Sequence, residues 1–582
     1  MARTPKSPED HAEEGTLRRL GGDRGPSLSE ALAGRIAAGL YQSPLHKLRL
    51  KGRFPLKLLG VPADPVPGDP HIGERLAAGR LIHAGHTAMT RDITFREPGH
   101  PAAWTDWAMS WAWLRDLAAH LPEPKAGAAV AEPLVARWLA SFAEYDALAW
   151  RPDLAGRRLL FGFAHAPLIL SSSDQVYRSA VLAAMATWAR HLDRAAPRLP
   201  DGLAKAWALA GLYAAGVLIP GGEVRERTAL AGLDALLAQI VLPDGGIITR
   251  APVDALAVAE LLLMAAAAPE ALGRRAPPLF ADVLARLVPA LRGLALGDGM
   301  VGAWNGAAVI APAALERLAR QTATGTALTR SGRWSGYYRL SAGKTVLVVD
   351  AGPPPAPRIA AGGHAGTLAF EMSDGPDRLV TNCGGERGLP APLPGALASG
   401  LRTTAAHSTL VIADTNSTRL RDDGLLGNGV TEVAVNLRTS EGSHWFDAAH
   451  DGYVRRFGML VRRRLFLSAD GQDLRGEDVI EAVPSKLMLR RQDRAFAIRF
   501  HLGPGVSATP TADGAGALLK LPQGRVWAFK ARFAAGGGSV AIEPSLWVDG
   551  AGTLQKSLQL VVNGRTERML ADIGWSFKRA GK

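Results

Sequence analysis

The sequence predicts a multidomain α+β protein: a helical N-terminal half followed by a C-terminal half built as an antiparallel β-sandwich. Three observations predict it. Apolar residues recur at helical spacing from about residue 100 to 325. After Gly332 they fall instead into short β-branched or aromatic runs separated by Gly, Asp, Asn and Pro. With 582 residues, 47% hydrophobic and 21% charged, the chain has a globular composition and is too long for one core.

The expected segments are 1–25, 26–99, 100–328 and 329–582. The first is polar and Gly-rich, and is expected to be disordered. The second is an N-terminal extension. It opens with a short helical pattern, SLSEALAGRIAAGLY, which Ser27 or Ser29 could cap. The loop PADPVPGDP follows, where Pro62, Pro65, Pro67 and Pro70 exclude a continuous helix or a central strand.

In the third segment, TALAGLDALLAQIVL sets Leu230, Leu233, Leu237, Ile240 and Val241 on one helical face. Ala-rich stretches at 180–195, 204–219 and 254–267 behave alike, broken by Pro-Arg-Leu-Pro, Pro-Gly-Gly and Pro-Asp-Gly-Gly. Such small residues let helices approach closely, and eight to twelve helices of ordinary length fit. Trp104, Trp107 and Trp111 share a face by spacing. Such a stripe is more often core than a sugar platform; Trp107 is the candidate for sugar contact. His165, before the apolar run Pro167 to Leu170, reads as a helix-packing histidine.

In the last segment KTVLVVD, STLVIAD, RLFLS, AFAIRFHL, RVWAFKA and SLQLVV read as strands. Alternation in AFAIRFHL buries Phe496, Ile498, Phe500 and Leu502 and places Arg499 and His501 on the more exposed face. Strands with almost no helical periodicity between them make a sandwich. The boundary falls near 326–332.

The formal charge of +13 favours anionic partners, whether uronate-bearing polysaccharide, nucleic acid or a membrane surface. No helix-turn-helix, zinc-finger or aromatic-basic RNA-binding spacing supports nucleic acid. Cys383 is the single cysteine, so no intramolecular disulfide forms, and a buried residue without redox role is expected. The N-terminus has no apolar run of the secretory kind. The longest uncharged stretch, Ala206 to Gly222, holds Gly211, Gly216 and Pro220 and reads as a buried helix, not a membrane span. By these signs the chain is soluble and cytoplasmic.

Several ordered segments resemble a known family. HAGTLAFEMSDGPDRLVTNCGG (364–385), LRTTAAHSTLVIADTNST (401–418) and HDGYVRRFGMLVRRRLFLSADGQDLRGEDVI (450–480) are similar to the core of heparinase II/III-like C-terminal domains. QIVLPDGGIITRAP (239–252) resembles the family's Asp-Gly-Gly loop after a helix, and SGYYRLSAGKTVLVVDAGPPP (335–355) the opening strands of the sandwich in an alphaproteobacterial branch. The resemblance implies an α/α toroid (an incomplete helical barrel) joined to the sandwich. It implies β-elimination on a uronate glycan, a setting in the cell envelope or periplasm, and in some members zinc held by two His and one Asp. Such a lyase neutralises the uronate carboxylate, removes the C5 proton with a base and protonates the leaving O4 with an acid.

Mapped residue by residue, His364 and His407 match family histidines, as acid/base groups or metal ligands, and Asn382 stands where a ligand Asp is expected. Other family positions differ. Gly362 replaces the first His of the His-x-His strand and Gly366 its Asp. Ile247, and either Val253 or Asp254, stand where a His and the catalytic Tyr are usual. No Asn precedes Asn305, so carboxylate neutralisation would fall to Arg250 or Arg402, and the acid to a histidine or to Tyr177 or Tyr453. Asp244, Tyr453, His450 and Trp107 are the substrate-contact candidates, and His364, Asn382 and His407 the zinc candidates. Two functions follow: a lyase on an acidic polysaccharide, or a glycan-binding or scaffold protein that has lost the chemistry.

Overall fold

The computed structural model describes residues 11–19, 39–41, 43–52, 54–96, 99–324, 331–357, 359, 361–483, 492–533 and 537–581. The helices of the N-terminal half are α1 (Pro44–Leu50), α2 (Pro70–Ala77), α3 (Ala102–Met109), α4 (Trp113–His120), α5 (Pro124–Ser141) and α6 (Pro152–Ala164). Then come α7 (Ala166–Ile169), α8 (Gln175–Ala195), α9 (Leu203–Leu218), α10 (Glu223–Ile240), α11 (Pro252–Glu270), α12 (Pro278–Gly293) and α13 (Pro312–Thr322). Proline opens α5, α6, α11, α12 and α13, where its fixed φ suits the helix and its missing N–H costs nothing. Asp174 caps α8 by accepting from the Val176 and Tyr177 N–H groups.

These helices form the toroid. Its central member is α9, buried from Ala206 to Leu218 and packed against α6, α10 and α11. Glycine permits the α6–α9 contact: a Cβ at Gly211 would stand 2.3 Å from the Gly156 carbonyl oxygen. The tryptophan stripe is core. Trp111, Trp138 and Trp188 meet edge to face, and the buried Arg158 guanidinium lies 4.1 Å from Trp138 and 4.6 Å from Trp188. The stripe is not one helix, because the chain turns between α3 and α4, with Trp111 at φ 62°.

The C-terminal half is a sandwich of two antiparallel sheets. One runs from the strand His11–Arg18 through Glu432–Ser440, Ser443–His450, Met459–Leu467, Asp473–Ala482, Ala571–Arg579, Val526–Phe533 and Gly516–Lys520 to Ser507–Pro510. The other runs from Gly538–Val548 through Leu554–Arg565, Ala495–Leu502, Asp377–Thr381, Phe370–Asp374, Thr345–Asp350 and Tyr337–Ala342 to Ser331–Trp334, with Leu410–Ile412 pairing Ala495–Leu502. The strands used below are β5 (Tyr337–Ala342), β6 (Thr345–Asp350), β9 (Leu410–Ile412), β10 (Glu432–Ser440), β12 (Met459–Leu467), β13 (Asp473–Ala482) and β14 (Ala495–Leu502). An ion pair is sealed between the sheets. Arg463 of β12 holds Asp478 of β13 at 2.7 and 2.9 Å and donates to the Leu368 and Ser408 carbonyls.

Three details depart from the sequence reading. The tail expected to be disordered contributes β1 (His11–Arg18), which adds eight residues in register to the edge strand β10. The extension contains a hairpin of β2 (Arg80–His83) and β3 (His86–Met89), turned by Ala84 and Gly85, both at positive φ. His501 is buried: β14 is an interior strand, and the 404–408 segment covers the face expected to be open. The helical pattern at 27–38 and the boundary at 326–330 lie outside the described residues.

From α9 to α12 the helix ends alternate: α10 and α12 end on one face of the ring, and α9 and α11 end on the other, where Leu59 and Gly60 meet Leu218 and Ala271. The sandwich docks on the first face. An Asp-Gly turn after α10 places Asp244 to accept from the Ser335 N–H at 2.8 Å. A second Asp-Gly turn after α12 places Asp298 2.6 Å from Arg378. Arg339 of β5 donates to the carbonyls of Gly293 and Ala295 at the end of α12.

Candidate active site

His364 lies on the Gly-rich loop after β6, and His407 follows a single 3-10 turn before β9. The fold brings them together: His364 Nδ1 is 3.1 Å from His407 Nε2. His407 Nδ1 is 2.7 Å from the Thr403 carbonyl, which can only accept, so Nδ1 carries the proton. His407 Nε2 is then an acceptor, His364 Nδ1 donates to it, and the one lone pair left is on His364 Nε2. Burial holds both rings neutral, pushing His407 down to about 4 and His364 well below its ordinary value. A base so weakened is poorly matched to removing a C5 proton near neutrality.

The same geometry decides against zinc. The Asn382 side chain accepts from the Ser408 N–H at 3.0 Å and donates to Glu371 Oε1 at 3.3 Å, which spends both its ends. A Cβ at Gly366 would stand 2.5 Å from the His407 ring, so a ligand Asp at that position is incompatible with the ring's place. Among the described residues no three His, Cys, Asp or Glu side chains converge as a metal site. The residues present do not fit the ion.

Both arginine candidates are structural. Arg250 is buried, bonded to Asp350 at 2.6 Å and to the carbonyls of Ser335, Gly352 and Pro353. Arg402 donates to the carbonyls of Gly363, Gly424 and Leu425, pinning the loop that carries His364. Asp244 caps its own turn, accepting from the Gly246 N–H as well as from Ser335.

The remaining candidates are likewise committed, except Tyr177, whose buried hydroxyl has no hydrogen-bond partner among the described residues. His450 is buried and pushed down to about 4, and its Nδ1 accepts from the Gly452 N–H. Tyr453 packs beneath that turn and donates to the Thr415 carbonyl at 3.0 Å. Trp107 stacks on His83 at 4.8 Å between ring centres, with Nε1 3.4 Å from Asp116. Tyr177 lines a groove of about 450 Å³ between α5 and α8, among alanines of the toroid. His165 is held by Asp64 at 3.0 Å, as a packing histidine should be. Burial pushes the Cys383 thiol up to about 12, so it is an unreactive thiol.

Sequence reasoning missed the residues that bridge the cleft. Arg387 reaches from the sandwich to Asp254 of α11 at 2.6 Å and donates to the Ala361 carbonyl beside Gly362. Asp254 is one of the two positions where the resemblance sets a catalytic Tyr, and it anchors this bridge instead. Asn305 donates to the Tyr337 hydroxyl at 2.7 Å, which in turn donates to the Arg250 carbonyl. Buried Glu371, pushed up to about 7 by desolvation, lies 3.0 Å from Arg378. The second Asp-Gly turn at 298–299, also after a helix, was the available signal, since it repeats the pattern at 244–245.

A helical toroid clamped face-on to a two-sheet sandwich, with paired histidines at the junction, defines a protein of the polysaccharide-lyase fold. Residues 324–576 match the family model described as heparinase II/III-like, C-terminal. The crystal structure of heparinase III superposes with a TM-score of 0.69 at 12% identity, covering 97% of this chain and 93% of that one. A mutant of the heparan sulfate lyase HepC from Pedobacter heparinus gives 0.64 at 14% identity, over 97% and 92%. The C-terminal half therefore carries a heparinase II/III-like domain. Along its full length the chain is also similar to FtsZ-localized protein C of Caulobacter vibrioides, 29% identical over 583 residues and 97% of each chain.

Proposed function

We propose that this chain is a non-catalytic member of the heparinase II/III-like family, a scaffold that keeps the lyase fold without the chemistry. One observation carries the reading: at the junction, the side chains placed for β-elimination already bond one another, a buried carboxylate or the backbone. Arg250 and Arg402 offer no fork to a uronate carboxylate, because their donors hold Asp350 and six carbonyls. The histidine pair is sealed and neutral, and Tyr453 donates into the protein interior. Full-length similarity to FtsZ-localized protein C extends the proposal to place: the scaffold acts with FtsZ, inside the cell and not in the envelope.

Acidic-glycan binding without cleavage is the second reading. A groove of about 690 Å³ on the sandwich, lined by Arg419, Arg455, Arg456, Asn416 and Asn428, favours it.

The test is ultraviolet absorbance of the purified protein incubated with a panel of uronate polysaccharides, beside co-pelleting with FtsZ polymers. The expected result is a flat trace on every polysaccharide and recovery with FtsZ. A time-dependent rise from an unsaturated uronate would overturn the reading.

A further inference from the structure

The face of the toroid remote from the sandwich carries a feature that neither lyase chemistry nor the scaffold reading uses. Residues 40–61 expose Leu45, Leu48, Phe54, Leu56 and Leu59 among seven large apolar side chains, with Leu56 90% exposed. Seven of the fifteen such side chains exposed among the described residues thus fall within one stretch of the chain. Charge follows the same stretch. Residues 31–63 contain six Lys or Arg and no Asp or Glu, and Arg49, Lys51 and Lys57 are exposed.

The segment is fixed to the body, so its exposure does not come from lack of a seat. Tyr41 and His46 pack against Tyr145 and His191, which turns the opposite side of α1 outward. Arg190 donates to the Leu50 carbonyl at 3.0 Å and lies over the Phe54 ring. The Leu59 N–H donates to the carbonyl of Leu218, the last residue of α9, and Gly60 abuts Ala271 and Leu272 just past α11. These are the helix ends opposite the sandwich, and Val224 at the start of α10 is exposed on the same face.

We propose that residues 40–61 seat the protein on an anionic lipid bilayer, with the apolar side chains at the headgroup boundary and Lys and Arg against lipid phosphates. Charge complementarity selects this occupant, since a stretch of cations without acids matches a negative leaflet. The 19 residues of α11 then set the sandwich about 28 Å beyond the surface, with the cleft facing away from it. No spanning helix is needed. Among the described residues α11 alone is long and apolar enough to cross a membrane, and it is mostly buried in the toroid.

The test is co-sedimentation of the full chain with phosphatidylglycerol–phosphatidylcholine vesicles and with pure phosphatidylcholine. Binding to the first and not the second is expected. Lys51→Gln with Lys57→Gln should weaken partition about twenty-five-fold, at about five-fold per cation. Leu48→Ser with Leu56→Ser should weaken it at least about ten-fold. Neither pair should shift the melting temperature, and Leu518→Ser on the sandwich should bind as the native chain does. Absence of native-chain binding to anionic vesicles overturns the proposal. So does loss in the charge pair with none in the apolar pair, which would show attraction to surface charge without seating of the apolar side chains.

Discussion

The cleft and the far face of the toroid exchange the usual places of polar and apolar residues. In the cleft, arginines, histidines and an asparagine are buried and bonded, joining two halves that each have their own core. On the far face, leucines and a phenylalanine are exposed between cations. Buried polar groups must be satisfied by the protein, so they are poorly available to a ligand, whereas exposed apolar ones wait for a partner. Chemistry-bearing residue types therefore mislead at the cleft, and plain leucines inform at the other face.

The sharpest way to break this contrast is Arg250→Ala. It leaves Asp350 buried without its partner, and should lower stability by about 3–5 kcal/mol, read as a large fall in melting temperature. A surface arginine serving a substrate would cost almost nothing. Acid comes next. Burial holds His407 and His450 near 4 and His501 near 3, against an ordinary value of 6.5. The folded state binds fewer protons than the unfolded, so this stability is fully present above pH 6.5 and is lost as pH falls toward 4. The full shift is worth about 3 kcal/mol for each of the first two, and a melting temperature constant from pH 7 to 4 would contradict the sealed cleft. The smallest effect belongs to the far face. Leu56→Ser should change stability by less than about 0.5 kcal/mol, because the side chain has little folded-state contact to lose.

Much of the fold was legible because it rests on periodicity. The Ala-rich helices, the change after Gly332 and the alternation in AFAIRFHL are local patterns that tertiary contacts preserve. Edge pairing was not legible: β1 is a polar strand whose partner lies over 400 residues away. The resemblance singled out His364 and His407, which the fold brings within 3.1 Å of each other. It could not give their burial, which depends on the 404–408 segment lying over β14. Arg387 was invisible because its partner Asp254 comes from the other half of the chain.

The most direct test of the central claim is His407→Ala, followed by thermal melting and by absorbance on uronate polysaccharide in the same preparation. The substitution leaves His364 Nδ1 and the Thr403 carbonyl without their partner, so stability should fall by about 2–4 kcal/mol and melting by about 5–10 °C. Absorbance should stay flat before and after. An unchanged melting temperature, with a product signal in the native chain that the variant loses, would contradict the account.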